Sequence, residues 1–138
     1  MAPILPDPNS DLHWSHFRGA IHDIFAQNAL THPDRTCVVE TASPTSPRRI
    51  FTYRQINEAT NILANHLVQN GVQRGEVVMI YAARNVELVV AIMGTLRAGA
   101  TFSVLDPQYP PERQKVYLEV AQPRALVVLE QALSLIHI

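Results

Sequence analysis

The sequence predicts an α/β fold in which a short parallel sheet carries an N-terminal helix and a hairpin. Apolar segments of strand length lie at 77–81, 100–105 and 125–129, and segments with helical spacing or helix-starting residues, 86–98 and 111–121, separate them. The links are short, and this alternation is typical of parallel strands joined by right-handed crossovers. We therefore expect a parallel βαβαβ unit.

The composition is that of an ordinary globular domain with one hydrophobic core. The chain has 138 residues, 47% of them hydrophobic, and a formal net charge of −1 at pH 7. This balance creates no field that would attract nucleic acid or an acidic membrane, so we expect neither as a partner. The most apolar stretch, 88–96, is too short to cross a bilayer, and nothing resembles a secretory signal. We expect a cytoplasmic protein.

The N-terminal part is predicted to hold a lead, one helix and the first strand. Residues 1–11 contain three prolines and are predicted to be a disordered lead. A helix is predicted over 14–30, and a strand over 36–40, where Cys37 is expected to be a buried thiol. The helix has one apolar stripe, formed by Trp14, Phe17, Ile21, Ile24, Phe25 and Ala29.

Two groups of polar residues in this part suggest binding sites, and both are interpreted as surface. His13, His16 and His22 are close in sequence, but no carboxylate or cysteine completes a metal-ligand pattern. Arg48 and Arg49 follow a Ser/Thr/Pro loop and are interpreted as a solvated strand edge rather than a phosphate clamp.

The helix that starts after Thr52 is specified at both ends. Thr52 is a natural N-cap, and Gln55 completes a capping box with it. Gly71 supplies the left-handed residue of a Schellman ending. An apolar face is predicted at Ile56, Ala59, Leu63 and Leu67, and Phe51 with Ile56 forms a hydrophobic staple.

The next helix, 86–98, begins at the cap residue Asn85 and is apolar nearly all round, so we expect it to be well buried. Gly99 ends it with a positive φ. The following strand, 100–105, alternates too little for a half-exposed strand and is predicted to be buried on both faces.

The turn after that strand is rich in proline. Asp106-Pro107 ends the strand, because proline donates no hydrogen bond to a sheet. Pro110-Pro111 begins the next helix, because a proline at the first helical position loses no hydrogen bond.

No catalytic, cofactor-binding or metal-binding residue is assigned. Ligands of open parallel sheets bind beyond the carboxyl ends of the strands, where this sequence has Ala82-Ala83-Arg84 and Asp106-Pro107-Gln108. Neither segment is a phosphate cradle, and no Gly-rich nucleotide motif is present.

Two segments nevertheless resemble the adenylate-forming, or AMP-binding, enzymes. LRAGATFSVLDPQYPPER, ending at Arg113, is similar to a core motif of that family, with Phe102, Ser103 and Val104 in place of its usual tyrosine and proline. FTYRQINEATNILANHLVQNG, starting at Phe51, resembles an upstream signature. The resemblance implies the N-terminal portion of the large subdomain of such an enzyme, truncated before its ATP loop, acidic metal residue and catalytic lysine.

Within this family, residues from about 10 to 131 are most similar to the fungal-type L-2-aminoadipate reductases of lysine biosynthesis. That resemblance implies a parent enzyme that activates a carboxylate with ATP and Mg, transfers it to a phosphopantetheine thiol, and reduces it with NADPH. The chain itself is expected to bind no cofactor and to be inactive, and its partners are the remainder of the parent enzyme and, in the parent, a small carboxylate substrate.

The predicted domain organisation is a lead over 1–11, a partial adenylation domain over 12–132 and a non-native tail over 133–138. The tail, LSLIHI, has no cap, turn residue or family counterpart, and one possible coding of it matches a transposase adaptor. A natural apolar C-terminal strand remains the alternative.

Two other functions also remain open. One is another amino-acid adenylation domain or an acyl-CoA synthetase, since the substrate-pocket residues are absent. The other is a non-catalytic α/β interaction module.

Overall fold

The structure, a computed structural model, describes residues 18–129. The predictions for the lead and the tail, and those for Trp14, Phe17, His13 and His16, fall outside the described residues. The elements are α1 (Ile21–Thr31), β1 (Thr36–Glu40), β2 (Arg49–Thr52), α2 (Tyr53–Gln69), β3 (Val77–Tyr81), α3 (Val86–Arg97), β4 (Thr101–Leu105), α4 (Pro111–Ala121) and β5 (Ala125–Val128).

The predicted fold class is confirmed. β1 and β2 form an antiparallel hairpin, and a three-stranded parallel sheet has the order β4-β3-β5. β3 pairs with β4 from Val77–Thr101 to Tyr81–Leu105, and with β5 from Val78–Ala125 to Tyr81–Val128. β3 is therefore the central strand of the sheet.

The predicted start of the first helix is wrong. α1 begins at Ile21, because Gly19 has a φ of +107° and Ala20 is extended, which interrupts the helical spacing. Phe25 and Ala29 are buried as expected, whereas Ile21 is 69% exposed. The apolar stripe is thus narrower than the sequence indicated.

The ends of α2 match the prediction. The Thr52 hydroxyl accepts from the Gln55 N–H at 3.3 Å, and the Gln55 side chain accepts from the Thr52 N–H at 2.8 Å. At the C-terminal end the Val72 N–H donates to the Leu67 carbonyl at 3.1 Å, and Gly71 has a φ of +87°. These are the bonds of a capping box and a Schellman ending.

α3 packs against α2 and against β3 and β4 of the sheet, and it has no exposed residue. The Asn85 side chain accepts from the Leu88 N–H at 3.1 Å, which confirms the predicted cap. The main core forms where α2 and α3 cover one face of the sheet. It is built from Leu63, Leu67, Val72, Val78, Ile80, Ala82, Ala91, Ala100, Ala125 and Val127.

Arg97, at the end of α3, holds the three N-terminal helices together. Its guanidinium donates to the side-chain oxygens of Asn57 at 2.9 Å and Asn61 at 2.7 Å in α2, and to the His22 carbonyl at 3.4 Å in α1. Burial lowers the pKa of this guanidinium. Its hydrogen bonds fix α1 and α2 against α3.

The prediction that 100–105 is buried on both faces is wrong. β4 is an edge strand of the described sheet, so only one side of it is paired, and Phe102 is 38% exposed. The uniform burial belongs instead to β3, where Val78, Met79 and Ile80 are all 0% exposed. An apolar segment indicates a strand, but it does not fix the strand's position in the sheet.

Candidate functional site

The carboxyl ends of the three parallel strands lie at one edge of the sheet. The register places Tyr81 of β3 beside Leu105 of β4 and Val128 of β5. Ligands of open parallel sheets bind beyond this edge. The edge, with the loops 82–85 and 106–110 that follow β3 and β4, is therefore the candidate functional site.

A polar cleft lies beside the first of these loops. It has a volume of about 520 Å³ and is formed between the hairpin loop and the β3–α3 loop. Arg84 is exposed there, and Asn85 caps α3. Its other polar groups include the hydroxyls of Thr41, Ser43, Thr45 and Ser46. These groups can donate hydrogen bonds to a polar or anionic ligand.

Arg49 forms one wall of the cleft. It lies in the edge strand β2, as interpreted, but its side chain is half-buried and paired with carboxylates rather than freely solvated. Its Nε donates to the Glu40 carboxylate at 2.6 Å, and its Nη2 lies 3.3 Å from the Glu87 carboxylate. These carboxylates, with the Glu40 hydrogen bond first, raise the pKa of Arg49. Arg48 is exposed, as predicted.

The sequence held a signal for this network. Glu40 and Arg49 occupy directly opposite positions of the predicted hairpin, where opposite charges attract. Glu87 could not be predicted as the second partner, because it lies in α3 and reaches Arg49 only through the tertiary fold.

An apolar hollow lies on the other side of Arg49. It has a volume of about 290 Å³ and is lined by residues of β2, α2, α3 and the end of β5. Its apolar walls come from Phe51, Ile56, Leu63, Val90, Val127 and Leu129. Such a surface excludes water and suits an apolar group.

The loop after β4 is held by its own side chains. The Asp106 carboxylate accepts from the Gln108 N–H at 2.8 Å, and the Asp106 carbonyl accepts from the Tyr109 N–H at 3.1 Å. Gln114 of α4 reaches back and donates to the Tyr109 carbonyl at 2.7 Å. Both the carboxylate and the carbonyl of Asp106 therefore accept hydrogen bonds within the turn.

Arg113 stacks on two tyrosines beside this loop. Its guanidinium carbon lies 4.1 Å from the centre of the Tyr109 ring and 5.8 Å from that of Tyr117. The two rings are 5.5 Å apart and stacked. A hydrogen bond from Arg113, and then its charge, lower the pKa of Tyr117. Tyr109 and Arg113 belong to the motif that ends at Arg113, whereas Tyr117 lies one helical turn beyond it in α4.

Two features of nucleotide and metal sites are not found at this edge within residues 18–129. Neither loop of the described part is glycine-rich, and within residues 18–129 no three His, Cys, Asp or Glu side chains are grouped as metal ligands.

Cys37 is half-buried, and burial raises the pKa of its thiol. No helix between residues 18 and 129 has the length and apolarity to cross a membrane.

The parallel βαβαβ unit and its two motifs define the class of protein. A family model described as AMP-binding enzyme matches residues 25–137. The chain belongs to the AMP-binding enzyme family, as the motifs predicted.

Among its relatives are the predicted reductases. The chain is 68% identical over 129 residues to the L-2-aminoadipate reductase large subunit of Penicillium chrysogenum, and 65% identical over 131 residues to the L-2-aminoadipate reductase of Schizosaccharomyces pombe. Each match covers 94% of this chain and 9% of the relative, so the chain spans about a tenth of these proteins.

Solved structures show the same fold. Klebsiella oxytoca NpsA in complex with 3-hydroxyanthranilyl-AMSN aligns with a TM-score of 0.71 and 26% identity, over 82% of this chain and 22% of that one. The N-terminal subdomain of NpsA aligns with a TM-score of 0.70 and 25% identity, over 83% of this chain and 28% of that one. The fatty acid AMP ligase of Legionella pneumophila, 18% identical, has the same fold with a TM-score of 0.75, over 86% of this chain and 21% of that one. The chain corresponds to part of the N-terminal subdomain of an adenylation domain.

Proposed function

We propose that this chain is the front part of an adenylation domain that activates L-2-aminoadipate in a multidomain reductase. The observation that carries this proposal is the 68% identity to an aminoadipate reductase large subunit over 94% of the chain. Tyrocidine synthase 3, by comparison, is 35% identical over 84% of the chain.

In the proposed parent reaction, a carboxylate oxygen of the substrate attacks the α-phosphorus of ATP, and pyrophosphate leaves. A phosphopantetheine group of the parent would supply the thiol that takes up the acyl group as AMP leaves, and NADPH would supply the hydride that reduces this acyl group to the semialdehyde. The remainder of the parent enzyme supplies the groups for these steps.

The contribution of this chain is the scaffold of the domain. α2 and α3 cover one face of the parallel sheet, and the ordered turn Asp106–Tyr109 lies at the edge where ligands of such sheets bind. The chain alone is inactive in this proposal, because its carboxyl-edge loops 82–85 and 106–110 contain neither a glycine-rich phosphate loop nor a lysine.

The test is pyrophosphate exchange into ATP by the full-length polypeptide that contains this chain. L-2-aminoadipate should support exchange, whereas L-glutamate, one methylene shorter, and adipate, which lacks the amino group, should support much less. Exchange with a different amino acid or a fatty acid, and none with aminoadipate, would replace the proposed substrate. The purified 138-residue chain should give no exchange with any of them, and exchange by that chain would overturn the proposal that it is an inactive part.

A further inference from the structure

Arg113 is the centre of a cluster that holds the loop after β4. The Arg113 stack, defined as Tyr109, Arg113 and Tyr117, has its guanidinium carbon 4.1 Å from one ring centre and 5.8 Å from the other. A planar guanidinium stacks on aromatic faces, which a lysine ammonium does not do in the same way. The stack therefore fixes Tyr109 relative to α4.

Backbone hydrogen bonds connect Tyr109 to the rest of the loop. Tyr109 donates its N–H to the Asp106 carbonyl at 3.1 Å and accepts from the Gln114 side chain at 2.7 Å. Gln114 also donates to the Pro107 carbonyl at 3.4 Å. Loss of Arg113 would remove the stack on the Tyr109 ring, so that only the Gln114 hydrogen bonds would hold the turn against α4.

The position of this turn gives the stack a role beyond folding. The turn follows Leu105, which pairs with Tyr81 at the carboxyl edge of the sheet. A ligand bound at this edge would be sensitive to small displacements of the turn. Arg113 is exposed, and α4 has no buried residue, so the stack adds little to the core.

We propose that Arg113 is a positioning residue for adenylation, acting through Tyr109 to hold the Asp106–Tyr109 turn in place for substrate binding. This inference rests on the proposed function. Arg113 itself makes no contact with substrate in this proposal.

The experiment uses Arg113→Met in the full-length polypeptide, with pyrophosphate exchange measured against aminoadipate and against ATP. The KM for at least one of the two should rise about tenfold with little change in kcat, because a displaced turn weakens binding. Arg113→Lys should keep most of this defect, since it restores the charge but not the planar stack. Tyr117→Phe, which keeps the ring and removes only the hydroxyl, should have a smaller effect.

Arg124→Met is the matched control. Arg124 is an exposed arginine that lies 3.9 Å from Glu76, and its N–H donates to the Val77 carbonyl at the amino end of β3. Its loss should leave both KM values unchanged. Melting temperatures of all variants report any general loss of stability.

A purely structural role would lower the amount of folded enzyme, and so the apparent kcat, while KM stayed constant. Unchanged KM values in Arg113→Met and Arg113→Lys would therefore overturn the inference, whatever happens to kcat. An unaltered enzyme that gave no exchange would instead defeat the proposed function, and this inference would fall with it. The unaltered enzyme is measured first, because its exchange activity tests the proposed function separately from the role of Arg113.

Discussion

Two threonine hydroxyls, one on α2 and one on α3, are buried without a hydrogen-bond partner among residues 18–129. Thr60 and Thr95 are both 0% exposed, and neither Oγ1 has a partner. A buried hydroxyl that makes no hydrogen bond lowers the stability of the folded state. Nothing in the sequence marks them, since a threonine on a helix is more often exposed.

Thr95→Val should raise the free energy of unfolding by up to about 1 kcal/mol, because valine keeps the branched shape and removes the unpaired hydroxyl. The same substitution at Thr52, whose hydroxyl caps α2, should lower it by about 1 kcal/mol. Urea unfolding of the three proteins measures both changes. A loss at Thr95 as large as that at Thr52 would mean that its hydroxyl is paired.

Some contacts of the charged residues could be predicted from the sequence, whereas others depend on the tertiary fold. The Glu40–Arg49 pair follows from the hairpin register. Arg97, by contrast, binds Asn57, Asn61 and the His22 carbonyl, which are distant in sequence. The spacing of residues along the sequence predicts pairs within one hairpin or helix. Contacts between different helices can be predicted only when the angles at which the helices pack are known.

The helices and strands themselves were predictable where their ends carry specific residues. α2 and α3 begin at the caps Thr52 and Asn85, and Gly71 and Gly99 end them with positive φ. The start of α1 could not be predicted in this way. The apolar residues keep their helical spacing across Gly19, but the backbone is not helical there. The strand order β4-β3-β5 could not be predicted either, because the apolar pattern of a strand does not show which strands it pairs with.

The contact between α2 and α3 depends on the absence of a side chain at Gly94. A Cβ at this position would lie 2.7 Å from Leu63 Cδ2 and 3.0 Å from Leu63 Cβ. These distances are too short for carbon atoms, so the Leu63 side chain or the two helices would have to shift. Gly94 therefore sets how closely the two helices pack.

Gly94→Ala should lower the free energy of unfolding by about 1–3 kcal/mol through this overpacking. Helix propensity alone predicts the opposite sign, a gain of about 1 kcal/mol. In a Leu63→Ala background, where the clash is removed, Gly94→Ala should become neutral or stabilising. Thermal unfolding of the four proteins of this cycle measures the coupling. Stabilisation by Gly94→Ala in the original background would contradict the close packing.

The candidate site is less predictable than the fold. The sequence indicated the carboxyl edge through its strand ends and the motif that ends at Arg113, and the structure places the ordered turn there. The polar cleft and the apolar hollow need the hairpin, α2 and α3 to meet at Arg49, so no single segment of sequence encodes them.

As a separate molecule, this chain carries apolar side chains that its own fold does not cover. Val116 and Val120, one helical turn apart on α4, are 56% and 81% exposed. β4 and β5 each have a free edge in the described sheet, and such edges and patches favour association. The chain spans about a tenth of its reductase relatives, so these surfaces lie on only a small part of such a protein.

We expect the purified chain to self-associate, and Val116→Lys with Val120→Lys to reduce this association without lowering the melting temperature, because neither side chain is buried. Light scattering coupled to size-exclusion chromatography measures the mass at several concentrations. Ile62→Lys, at a residue of α2 that is 69% exposed, tests whether any added charge has the same effect. If the α4 variant stays associated, the free strand edges carry the association, whereas a monomeric unaltered chain would show that these apolar residues do not drive it.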